Sequence, residues 1–207
     1  MRPTWPSFTL GIAILSVVSC SRVSRASSDQ VAGVRITPAI PKPNFVLTDT
    51  HGQQFDFRRD TRGKVTLLFF GYTHCPDVCP LQMANVAAAL KRTDTAVAHG
   101  VAVVFVTTDS ARDPPQRLRQ WLGSFDSTFI GLTGRLERVN AIQAGLRILP
   151  QSVREDSGPD YGIAHSAVVI AFTPDDSAHL VYPSGIPAAA LARDLTHLVR
   201  DAARPGT

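Results

Sequence analysis

Two cysteines four residues apart, in Cys75-Pro76-Asp77-Val78-Cys79-Pro80, are the residues of this chain best suited by type and spacing to do chemistry. On the first turn of a helix, thiols at i and i+4 share one face. That geometry serves either a disulfide, which needs Cα atoms about 4.4–6.8 Å apart, or two thiolates on one metal ion. Spacing alone leaves both open. A disulfide over so short a step adds little loop-closure entropy, so the pair reads as reactive rather than structural. A helix N-terminus favours a thiolate as nucleophile or ligand. Two thiolates suit a soft ion such as Cu(I), whereas structural zinc takes four protein ligands and no further cysteine follows Cys79.

Anything more must come from histidine, of which there are six: His51, His74, His99, His165, His179 and His197. His165 stands just before the apolar run Ala167 to Phe172, where a loop would bring it to the edge that carries the cysteines, as a candidate third ligand. His74 adjoins Cys75 and is either a modulator of that thiol, an alternate ligand or a solvent-facing ring.

The elements that must position these residues follow from periodicity. Phe45 to Thr48 and Gln54 to Phe57 flank Asp49–Gly52 and predict a hairpin. Val65 to Phe70 and Val101 to Val106 are short continuous apolar runs, the pattern of strands buried on both faces. Helical spacing appears over Leu81–Lys91, Pro114–Gly123 and Glu137–Leu146, which places the cysteines on a strand-to-helix junction. Val168–Phe172 and His179–Tyr182 predict a second hairpin around Pro174-Asp175-Asp176, and Pro187–Arg200 a closing amphipathic helix. The expected fold is α/β: a three-layer sandwich with a central mixed sheet flanked by helices and an N-terminal hairpin.

The 207 residues suffice for one domain with an appendage. A net charge of +4 without any run of five basic residues argues against nucleic acid as a partner. At the N-terminus, the apolar run Phe8–Val18 has signal-peptide length and is short for a membrane span. It closes on Val17-Val18-Ser19-Cys20, similar to a bacterial lipoprotein box, so Cys20 is the expected lipidation site. An ordinary cleaved signal and an uncleaved anchor are the alternatives; in each case the remainder is exported. Residues 1–19 read as a lipoprotein-type signal peptide, 20–42 as a Ser- and Pro-rich tether and 43–203 as the domain.

The stretch Phe70-Gly71-Tyr72-Thr73-His74-Cys75-Pro76-Asp77-Val78-Cys79-Pro80 resembles the copper-site signature of the Sco/SenC family nearly letter for letter. Val106 to Pro115 is similar to that family's V-x-x-D-P-x-R-D-x-P segment, Phe129 to Gly134 to its F-x-G-L-T-G, and His165-Ser166-Ala167 to its H-S-A, so the resemblance covers about residues 43–203. It implies a thioredoxin-like fold with Cys75, Cys79 and His165 as copper ligands. Two departures are Ser110, where Pro is usual, and Ala164, where an Asp that could orient His165 is common. Asp77 and Asp109 are candidates either for negative potential near the metal or for capping and turn roles.

What the resemblance implies is an exported copper metallochaperone rather than an enzyme, handling copper as Cu(I), with Cu(II) as the alternative state, for assembly of the copper centre of a respiratory cytochrome c oxidase. Its partners would be a copper acceptor, an oxidase subunit, and a thioredoxin-like reductant that keeps Cys75 and Cys79 from closing as a redox disulfide in an oxidising compartment. The competing reading is a thiol-disulfide oxidoreductase that reduces an acceptor's cysteines. Against it, oxidoreductases of this fold use C-x-x-C rather than C-x-x-x-C and need no His165. A peroxiredoxin would carry Thr or Ser where this chain has Tyr72. A copper or redox sensor would use the same residues.

Overall fold

The computed structural model describes Met1 and residues 31–148, 152–153, 163–164 and 167–203. Strands β1 (Val34–Pro41), β2 (Val46–Asp49) and β3 (Gln54–Asp56) lead into a short helix α1 (Phe57–Asp60) and strand β4 (Val65–Gly71). Helices α2 (Val78–Leu90) and α3 (Thr95–His99), strand β5 (Val101–Thr107), helix α4 (Pro115–Gly123), strand β6 (Ile130–Thr133) and helix α5 (Leu136–Gly145) follow. The pair β7 (Ser152–Val153) and β8 (Ile163–Ala164), strands β9 (Val169–Thr173) and β10 (Ser177–Tyr182) and helix α6 (Ala188–Ala202) complete the order.

Eight strands form one mixed sheet in the order β1-β10-β9-β4-β5-β6-β2-β3. β4, β5 and β6 run parallel, in register Val65↔Val101 to Gly71↔Thr107 and Val104↔Ile130 to Val106↔Leu132. β9 lies antiparallel on the other side of β4, Thr66↔Phe172 to Leu68↔Ile170. Every residue of β4 and β5 is buried, because helices cover both faces and the two-residue period divides each apolar run between two cores. Val65, Leu67 and Phe69 pack with Met83 and Val86 of α2, Leu118 of α4 and Leu195 of α6. Leu68 and Phe70 pack with Phe57 of α1 and Val139 and Ile142 of α5. The expected three-layer α/β sandwich is therefore the observed one.

The domain begins earlier than the sequence suggests. Residues 34–41, read as part of a 20–42 tether, form β1, which pairs with β10 from Val34↔Val181 to Pro41↔Ser177, with a register shift between Arg35 and Ile40. Pro38 and Pro41 disguise it. An edge strand pairs on one side only and so tolerates residues that lack an N–H. The start of β1 is tied down by Asp194 of α6, whose Oδ2 accepts from the amides of Ala32 (2.8 Å) and Gly33 (3.1 Å). Among the described residues no helix is long and apolar enough to cross a membrane.

Candidate metal centre

β4 and β5 are parallel and β9 is antiparallel to β4, so the C-terminal ends of the first two and the N-terminal end of the third share one edge of the sheet. Both cysteines follow β4 at that edge. Cys79 is fully buried in the first turn of α2 and Cys75 is 8% exposed in the turn before it. They are two thiols and not a disulfide.

Their relation differs from the expected pair on one helical face, because α2 starts only at Val78, so that Cys75 precedes the helix. Asp77 stands at the N-cap, but its side chain caps nothing. The sulfur of Cys75 takes that place: the Cys79 amide donates to Cys75 Sγ at 3.4 Å. One of the unpaired donors of the helix start is thus spent on a thiol. Pro80 brings no amide, and Leu81 N–H closes back on Asp77 O at 3.2 Å.

The dipole of α2 would favour a thiolate, yet burial wins for Cys79. Desolvation pushes its thiol well above the ordinary value, partly opposed by the Tyr72 backbone. A metal arriving at Cys79 must displace a proton. The sulfur sits so close to β4 that a Cβ on Gly71 would lie 2.8 Å from Cys79 Sγ and 2.7 Å from the Phe69 ring, so the position requires glycine through close approach.

The Tyr72–Cys75 turn is held by a carboxylate whose role the sequence did not disclose. Asp113 is completely buried; it accepts from Thr73 N–H at 2.9 Å, Thr73 Oγ1 at 2.5 Å and Thr107 Oγ1 at 2.6 Å. Arg117 Nε donates to Thr73 Oγ1 at 2.8 Å. An Asp directly before a Pro-led helix reads as a cap, but α4 is capped at Pro114 without a side chain and Asp113 turns inward. His74 leans on the same group, with Nδ1 3.4 Å from Thr73 Oγ1 and 3.5 Å from Asp113 Oδ1. Asp109 takes the turn role, accepting from Arg112 N–H at 3.4 Å and from Arg112 Nε.

His165 and Cys20 lie outside the described residues. The chain resumes at Ala167, whose carbonyl accepts from Gln82 Nε2 at 3.4 Å. Gln82 is one turn along α2 from Cys79, and its Nε2 also reaches Tyr182 O at 3.5 Å. Among the described residues no three His, Cys, Asp or Glu side chains converge as a metal cluster.

Comparison with known proteins places this geometry. The chain is 34% identical over 134 residues to Protein sco1 of Schizosaccharomyces pombe, covering 63% of this chain and 50% of that protein. It spans between a third and two thirds of the length of the first curated relatives it matches. Apo Sco1 of Thermus thermophilus superposes with a TM-score of 0.72 at 28% identity, over 82% of this chain and 97% of that one. ScoI of Bradyrhizobium japonicum with copper bound gives 0.67 at 29% identity, over 77% and 99%. The sheet is accordingly the thioredoxin-like sheet of Sco proteins. The SCO1/SenC family model matches residues 35–200, from within β1 to within α6, and on that extent the chain belongs to the SCO1/SenC family.

Proposed function

We propose that this protein is an exported copper metallochaperone that carries one copper ion on Cys75, Cys79 and His165 and passes it to a respiratory oxidase. The observation that carries the reading is the Gln82–Ala167 hydrogen bond, which ties the chain two residues after His165 to the helix that begins with Cys79. Two residues span at most about 7 Å, a short lead from that bond, which supports His165 as the third ligand. Two thiols and an imidazole suit Cu(I). Support also comes from the copper-bound Bradyrhizobium relative.

Few ligands at a sheet edge leave a side open to an incoming thiolate. Cu(I) then moves by ligand exchange: each acceptor thiol gives up its proton as its sulfur bonds the metal, and Cys75 and Cys79 regain theirs as their bonds break. The copper stays monovalent, and no electron leaves the site. The dithiol must be reduced beforehand, which assigns a thioredoxin-like reductant in the exported compartment. Cys20, acylated after removal of residues 1–19, anchors the domain to the membrane.

Mixing the reduced, Cu(I)-loaded protein with a metal-free dithiol acceptor tests the assignment. The acceptor should gain copper while both partners stay fully reduced. Oxidation of Cys75 and Cys79 with matching reduction of an acceptor disulfide, and no metal transfer, would instead make the protein an oxidoreductase.

A further inference from the structure

The outer face of α6 is basic. Arg193, His197 and Arg200, at i, i+4 and i+7, are all exposed and fall on one side of the helix, where Arg92 joins them across a groove of about 460 Å³. Ala189 and Thr196 complete most of its lining, and no carboxylate lines it. Asp94 pairs with the stripe, bonded to Arg200 Nη2 at 3.0 Å; both side chains are more than half exposed, so this pair offsets little of the positive charge.

The same helix holds the root of the tether. Asp194, next to Arg193 but buried, accepts from the amides of Ala32 and Gly33. Gly33 packs against the Tyr182 ring, which a Cβ there would approach to 2.8 Å. The chain therefore leaves the domain beside the basic stripe. Eleven peptide steps separate Val31 from Cys20, at most about 40 Å of chain. A domain held that close to a bilayer, with arginines at the base of its leash, meets lipid headgroups as its nearest anions.

We propose that the α6 stripe of Arg92, Arg193, His197 and Arg200 docks the domain onto anionic phospholipid headgroups. This inference rests on the lipid anchor at Cys20 proposed above. Docking brings α6 to the bilayer.

The test is arginine modification by phenylglyoxal, mapped by mass spectrometry on the full lipidated chain in vesicles. One set is phosphatidylcholine alone and the other contains about one third phosphatidylglycerol. Arg193 and Arg200 should react about fivefold more slowly on the anionic vesicles and recover in about 0.5 M salt, while Arg62, beside α1 on the other side of the sheet, stays unchanged. The neutralising variants Arg193→Gln and Arg92→Gln, which leave Asp194 intact, should each weaken the protection of Arg200. Equal reactivity on both vesicle types, with the chain retained on both, overturns the stripe and spares the anchor. Retention on anionic vesicles alone overturns the anchor and supports the stripe. Release from both overturns both, whereas protection of Arg193 only after an acidic protein is added overturns the stripe alone and would make it a protein interface.

Discussion

Asp113 is a buried carboxylate with no Lys or Arg bonded to it among the described contacts; two threonine hydroxyls and one backbone amide satisfy it instead. Leaving those donors buried and unpaired is expensive, so Asp113→Ala should lower stability by about 2–4 kcal/mol in urea unfolding. It should also weaken copper binding, because the turn it holds runs directly into Cys75. Asp113→Asn keeps acceptor capacity and should lose less on both counts. Gly71→Ala probes the same site from the strand side: the methyl would press on Cys79 Sγ and the Phe69 ring, for an expected loss of about 1–3 kcal/mol. Both effects concern residues that shape the surroundings of the two thiols without being proposed ligands. The Cys pair was legible because its residue types and spacing are chemistry in themselves. Asp113 was not, because an Asp before a proline has an ordinary local explanation, and only the fold shows Thr73 and Thr107 converging on it.

At the scale of elements, continuous apolar runs announced β4 and β5, and turn chemistry announced the hairpins β2–β3 and β9–β10. What stayed hidden was stabilised by partners distant in sequence. β1 carries two prolines and gains its place from β10 and from Asp194. β6 is only four residues long and is fixed by pairing with β5 and β2. Helical spacing marked α2 only from Leu81, whereas the helix begins at Val78, where a cysteine sulfur rather than the Asp77 side chain receives the Cys79 amide.

The end of β1 adds a titration. Lys42 is 3% exposed, with Nζ 3.2 Å from Thr66 Oγ1, 3.4 Å from Thr61 O and 5.4 Å from the centre of the Phe57 ring. Burial lowers its pKa below the ordinary 10.5, against the attraction of Asp176. Above 10.5 both folded and unfolded chains carry a neutral amine and there is no penalty. As pH falls below that value the unfolded chain takes up its proton first, so folding loses stability until the lowered folded pKa is passed. Stability should therefore rise with pH between the two values, and Lys42→Met should remove that rise in unfolding midpoints measured at stepped pH.

For the whole molecule, one edge of the sheet gathers the β4–α2 junction, the start of β9 and the root of the tether. On the proposed function, that edge would hold the cargo on rigid elements, close to where the chain enters the domain. The metal itself should add stability: a ligand that binds only the folded chain shifts unfolding by RT ln(1 + [L]/Kd), so Cu(I) at about a hundred times its Kd should add about 2.7 kcal/mol in thermal or urea unfolding, and a strong chelator should remove it. The central claim is the ligand set. Its most direct test is a Cu(I) titration of the reduced protein against a competing chelator, beside Cys75→Ser, Cys79→Ser and His165→Ala. The account predicts one copper per chain, no tight binding in either serine variant, and an affinity at least about tenfold weaker without His165. Unchanged affinity in His165→Ala would contradict it.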